Sequence, residues 1–225
     1  MVKSHNSMII YTVIYGNKHP LHQPKCDISH DCYVITDQEI KKPGVWKVIN
    51  QLPPEIDSLS SRRASRHSKM LPNLYFPNHS HSLYIDSQHA LIVDPMYPSD
   101  QPLLAQFKHG PAKNPIKKTD LYDEAAVCIM LKKDYPRIIM SQIVEYAAAG
   151  HPRNFGIWSC GTIFRQHNHP KIIELGEMWW EEYQKHSQRD QISYPYCLWK
   201  LGIIPEPLEK RMICEKIKGK SIPAY

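Results

Sequence analysis

The chain has 225 residues, of which 42% are hydrophobic and 22% charged, and a formal net charge of +6. That length buries a sizeable core in one large domain or two small ones, and the composition is ordinary for a soluble globular protein. No apolar run approaches the roughly 20 residues a membrane helix needs. Six scattered cysteines without CxxC spacing argue against a zinc site or a disulfide framework and for reduced thiols. The positive balance favours anionic partners without choosing among nucleotide phosphates, acidic glycans and nucleic acid.

In chain order, Met8 to Tyr15 has the length and β-branched content of a buried strand, ended by Gly16-Asn17. The run lacks the cleavage site of a signal peptide. Cys32 to Thr36 is a second such run, stopped by Asp37, and Val45 to Ile49 is a short third. These runs are apolar throughout rather than alternating, which predicts a largely parallel sheet covered on both faces. Pro53 to Ser61 reads as a loop, and Arg62 to Lys69 as a basic helix ending before Pro72. Pro98 to Lys118, rich in Pro and Lys, is expected to be irregular. Asp120 reads as an N-cap, with Leu121, Ala125, Cys128 and Ile129 as the apolar face of the helix that follows. Arg137 to Ala149 reads as a second helix, with Ile139, Ile143 and Ala147 on one face and Gly150 as its stop. Gly156 to Arg165 reads as a strand pair or bent strand, Lys171 to His186 as a helix, and Ser187 to Leu201 as a helix bent at Pro195. The basic tail from Pro205 is expected to form a short surface helix.

Four constellations carry candidate chemistry. His81 to Asp86 is an apolar run stopped by an acid, and His89 to Pro95 follows at once. An acid leaving a buried strand lies where open α/β sheets place ligands, and there it can hold a hard cation on a diphosphate. A turn-forming Asp is the competing explanation. Arg62, Arg66 and Lys69 share one helical face without interleaved acids, which suits phosphate oxygens, although a solvated charged face is the usual meaning of such a run. Ser187 and Asp190 have capping-box spacing; the alternative sets a carboxylate and Gln191 beside Trp179 and Trp180 to grip a sugar. His79/His81 and His167/His169 form two HxH pairs without further ligands at zinc spacing, so at most one of these histidines would complete a cation site at Asp86.

Taken together, these stretches resemble the glycosyltransferase-like domain of the plant TOD and MUCI proteins, long a domain of unknown function. The resemblance runs through Tyr11–Asn17, Tyr33–Asp37, Ser65–Pro72, Leu83–Asp86, Phe107–His109, Tyr122–Ala125, Gln142–Pro152, Ile163–Arg165, Trp179-Trp180 and Arg189–Ser193, in order, over residues 8 to 204. It implies a single domain over residues 1–225, with 205–225 as a basic tail. It further implies an α/β, GT-A-type (Rossmann-like) fold with a mixed, mainly parallel sheet flanked by helices, distantly similar to glycosyltransferase family 8. The implied activity is transfer from a nucleotide sugar, UDP-linked, to a hydroxyl of a glycan or glycoconjugate acceptor. Mn²⁺ or Mg²⁺ would be held by Asp86, with Gln88 at the third position of the DxD motif and His167 as further ligands.

The resemblance assigns the donor to Tyr11, Thr12, Tyr15, Gly16, Asp37, Arg62, Arg66, Lys69, Asp86, Ser87, Gln88 and Gln191. His109, Trp179, Trp180 and Arg189 fall to the sugar or acceptor. Asp190, then Glu124, are the candidates for catalytic base if the transfer inverts configuration; if it retains configuration, Asp190 would orient the sugar. After His109 the family's usual arginine is replaced by Gly110-Pro111-Ala112-Lys113. A cytoplasmic enzyme of bacterial or viral type is expected, peripheral to a membrane at most, serving polysaccharide biosynthesis or decorating a protein. The alternatives are a non-catalytic glycan- or nucleotide-binding protein on the same fold and, less favoured, a glycosyltransferase acting on nucleic acid.

Overall fold

In the computed structural model, which describes residues 8–16, 19–56, 58–109, 118–208 and 213–217, strand β1 (Met8–Ile14) is buried at all seven positions. A strand apolar on both sides must be covered on both faces, and it lies inside the sheet. Its parallel neighbours are β2 (Asp31–Thr36) on one side and β4 (His81–Ile85) on the other. β3 (Trp46–Ile49) extends the sheet beyond β2. From β3 the chain forms helix α1 (Ser61–Met70) and returns to β4 across β1. Strand order therefore reverses at β1 and β4, a topological switch point, and the crevice outside the carboxyl ends of those strands is the expected ligand position.

The order is β3-β2-β1-β4-β7-β6-β8, with β6 (Leu104–Lys108), β7 (Trp158–Arg165) and β8 (Glu206–Pro207) completing the sheet. β7 runs against both its neighbours, and the other six strands share one direction. This is the mixed, mainly parallel sheet of a Rossmann-like GT-A fold. Helices α2 (Leu121–Met130), α3 (Pro136–Ala148), α4 (Pro170–Lys185) and α5 (Asp190–Lys200) follow their predicted order. One face of the sheet, carrying Ile9, Tyr11 and Val13, shares a core with Met70 of α1, Trp179 of α4 and Leu198 of α5. The other face, carrying Met8, Ile10 and Ile14, is closed by Leu21, Ile28, Ile40 and Tyr97 from loops.

Three expectations need correction. The segment taken as irregular contains β6, whose Gln106 is buried because it donates to Ser159 O at 2.9 Å and accepts from Tyr194 Oη at 2.6 Å. A polar residue with both partners supplied is at home in a sheet interior. In the tail, β8 joins the main sheet and β9 (Cys214–Lys216) pairs antiparallel with β5 (His89–Leu91), instead of a surface helix; residues 209–212 and 218–225 lie outside the described residues. On α3 the buried face is Ile139, Gln142 and Tyr146, with Ile143 half-buried, and Ala147 is exposed. The i, i+3, i+4, i+7 row is followed, but the larger Tyr146 takes the place expected of Ala147.

Candidate functional site

A cavity of about 250 Å³ opens at the switch point. Val13, Ile14 and Tyr15 leave β1 into it, Tyr84, Asp86, Ser87 and Gln88 line it from β4 and its exit, and Ser61, Arg62, Ser65 and Arg66 face it from α1. Helix α1 starts here because Ser60 caps it, its Oγ accepting from Arg63 N at 3.4 Å. Gly16 lets the helix start sit close: its φ is +70°, and a Cβ there would lie 2.7 Å from Ser61 Oγ. The Gly16 N–H donates to Asp37, at 3.0 and 3.2 Å to its two oxygens, so the acid ending β2 holds the turn that ends β1.

Asp86 is anchored on three sides. Tyr84 Oη donates to its Oδ1 at 2.7 Å, its N–H donates to Gly161 O at 2.9 Å, and its carbonyl accepts from His89 N at 2.9 Å. Gly161 on β7 leaves room for the carboxylate, since a Cβ there would lie 3.0 Å from Asp86 Oδ2. Beyond Asp86, Gln88 Nε2 and His19 Nε2 stand 3.1 Å apart, and both line the cavity. Among the described residues no group of three or more His, Cys, Asp or Glu side chains forms a metal cage. Divalent ions at phosphates are commonly held by one or two carboxylates plus the phosphates themselves. Asp86, with the Gln88 amide and the His19 imidazole, fits that more modest requirement.

One layer beneath lies an ion cluster. Asp190, 6% exposed, pairs through Oδ2 with Lys69 Nζ at 2.6 Å and with Arg66 Nε at 3.0 Å. Burial pushes the Asp190 carboxyl up, but Arg66 and Lys69 overcome this and hold it well below the usual range. Burial likewise opposes the Arg66 charge, and Asp190 more than restores it. The capping-box role is thereby excluded: Asp190 is the first residue of α5, and its carboxylate faces α1 rather than its own backbone. Lys69 also lies over the rings of Tyr84 and Trp179, 5.1 and 5.6 Å from their centroids.

The strand ladders bring a third group to the same edge. Lys108 of β6 pairs with Trp158, so His109 emerges at the carboxyl end, its N–H donating to Ile157 O at 2.9 Å. Burial first and Lys118 second lower the His109 pKa, while Glu124 and Gln191 act the other way. Gln191 Nε2 donates to Trp158 O at 3.0 Å, and Glu124, 1% exposed, pairs with Lys118. The stretch Gly110 to Lys113 lies outside the described residues.

The sequence candidates thus divide. Tyr15, Arg62, Arg66, Asp86, Ser87 and Gln88 line one cavity, with Gly16 and Asp37 at its edge. Lys69 and Asp190 brace it from below. Tyr11 does not border it: fully buried, its hydroxyl donates to Lys69 O at 3.2 Å and accepts from Arg165. Thr12 points to the opposite face of β1, alternating with Tyr11, and is also buried. Trp179 is no sugar platform, whereas Trp180 is half-buried. Trp179 is core and donates to Asp190 O at 3.0 Å, and Trp180 packs edge-on against His67. His167 leaves β7 at the other end of the sheet from Asp86, 1% exposed, its Nε2 3.0 Å from Phe76 O, and is therefore no ligand to an ion at Asp86. Arg189 lines a neighbouring cleft. His19, Ser61, Ser65 and Gly161 were missed. The two serines each precede a selected arginine by one position, and His19 and Gly161 carry no motif.

A switch-point cavity with a basic helix face on one wall and an anchored acid on the other is where a Rossmann-like α/β domain places its ligand. Residues 25–218 match the family described as TOD1/MUCI70, glycosyltransferase-like domain, and the chain belongs to that family. No curated protein matches the chain. Among the described residues, no helix is long and apolar enough to cross a membrane.

Proposed function

We propose that the chain transfers a sugar from a UDP-linked donor to a hydroxyl of a glycan acceptor. The observation that carries this is the facing of Arg62 and Arg66 against Asp86 across the crevice between β1 and β4. The diphosphate lies at the start of α1, where backbone N–H groups, the helix dipole and two guanidinium groups all favour negative charge. Tyr15 and Asp37 flank the nucleoside at the ends of β1 and β2. Asp86, with Gln88 and His19, would hold a divalent ion, which when bound neutralises the diphosphate and eases its departure.

The acceptor oxygen attacks the anomeric carbon as the bond to the diphosphate breaks, and the acceptor's proton must be taken up. Asp190 is a poor proton acceptor at neutral pH, because two cations stabilise its ionised form. Its part is to position Arg66 and Lys69. That leaves Glu124, which pairs with a single cation, Lys118, beside His109 and Gln191 at the same sheet edge, as the carboxylate to take the proton. Thermal unfolding tests donor binding. UDP with Mn²⁺ is expected to raise the Tm of the wild type, and Arg66→Ala to abolish the rise. No shift with any nucleotide would contradict the proposal. A shift without sugar transfer or hydrolysis would favour a non-catalytic binding protein, a reading that rests on Gln88 standing at the third DxD position.

A further inference from the structure

Beyond Arg62 the site continues into a second, larger cleft of about 1060 Å³. Its walls are the start of α1, the turn between α2 and α3, and the segment leading into α5. Arg62, Lys132, Lys133 and Arg189 line it. None of the four makes an ion pair with another described residue. The Nε of Arg189 is buried and meets no acceptor among the described residues. The acid in the lining, Asp134, is already engaged: Oδ2 accepts from Ser187 Oγ and Gln188 N, both at 2.8 Å, and Oδ1 from Tyr135 N at 2.8 Å. It ties the α2–α3 turn to the segment before α5 and so fixes the walls.

Lys132 has a φ of 50°, the left-handed region where glycine is the usual residue after a helix, so a long cationic side chain is kept there at a conformational cost. Tyr135 is 75% exposed and Leu131 54% exposed, both in the lining. An open aromatic ring and an aliphatic chain among cations without a described ion-pair partner suit a sugar ring that bears acid: its C–H face packs on the ring, and its anionic group meets guanidinium or ammonium. A nucleic acid needs cations tracking a backbone and several rings for its bases, which a cleft with one exposed ring does not supply.

We propose that this cleft is an acceptor subsite for an anionic saccharide, one whose units carry carboxylate or sulfate groups. The proposal rests on reading the adjoining cavity as the donor site, because Arg62 belongs to both. Calorimetric titration of the full chain tests it, with an oligouronide, its carboxyl-reduced counterpart of equal length, a sulfated oligosaccharide and a single-stranded oligonucleotide as probes. UDP is titrated separately. The uronide or the sulfated chain is expected to bind about tenfold tighter than the neutral counterpart, the scale of two screened charge contacts. Lys132→Ala/Lys133→Ala, neither of which lines the donor cavity, is expected to remove that advantage and leave UDP affinity unchanged. The tighter of the two anionic probes identifies the acidic group. Equal binding of the neutral chain, unchanged anion affinity in the double variant, or tighter binding of the oligonucleotide would overturn the proposal. Failure of UDP to bind the wild type would sink the donor reading, and the saccharide series still gives its own answer.

Discussion

Asp190 and Lys69 lie 121 positions apart in the chain, yet their charged groups meet in the interior at 2.6 Å. Removing one partner of a buried ion pair leaves the other uncompensated, which costs about 3–5 kcal/mol. Asp190→Asn should therefore lower the unfolding free energy by an amount of that order, seen as a lower urea midpoint, as well as reduce activity. An unchanged midpoint with lost activity would instead restore Asp190 as a proton acceptor. The sequence exposed the two ends of this cluster, a basic helix and a late acid, but not their pairing. Contacts between distant segments are set by topology, and periodicity carries no record of them. Asp86 was easier to find, because an apolar run that stops at an acid is a local signal. Its supports, Tyr84 Oη and the space above Gly161, come from the strand pairing and are not local.

Among the elements, α1 matters most, since it carries both cavity arginines. Its position is set from behind by α4, where Gly176 meets it: a Cβ at Gly176 would lie 2.5 Å from Met70 O. The obstacle is backbone, so α1 or α4 must move. Gly176→Ala, a substitution that raises helix propensity, is expected to destabilise by about 1–3 kcal/mol in urea unfolding, the usual cost of overpacking. A gain in stability would show that the α1–α4 spacing is not tight. Most elements were legible because their apolar patterns are strong. β6 was not, because five strand residues sit between Pro- and Lys-rich flanks and include a buried glutamine. β9 was hidden for a related reason: Cys-Glu-Lys has no strand pattern. Its place comes from pairing with β5, and Ile217 N donates to Gln88 O at 2.9 Å. The tail thereby fastens the turn that carries Gln88.

Across the whole molecule, histidine burial couples stability to pH. Burial, above all other causes, lowers the His167 pKa from 6.5 to about 4. The unfolded chain thus takes up a proton that the folded chain refuses between these values. The stability tied to this residue is fully present above pH 6.5 and lost as pH falls toward 4, by up to about 3 kcal/mol. His67, His81, His109 and His151 are shifted in the same direction, each chiefly by burial. Urea midpoints should therefore fall steadily from pH 7 to pH 4.5, and a flat profile would contradict the burial of these side chains. The fold class followed from strands apolar on both sides. The location of the cavity needed the strand order, which places β4 beside β1 and creates the switch point.

The central claim is that the crevice between β1 and β4 activates a nucleotide sugar through Asp86. Hydrolysis of a panel of UDP-sugars, with and without Mn²⁺, on the wild type and on Asp86→Ala tests it most directly. The account predicts hydrolysis of at least one donor by the wild type. In Asp86→Ala it predicts a fall of about a hundredfold or more, the scale of losing one transition-state charge contact. Equal rates in the two proteins would contradict the role given to Asp86.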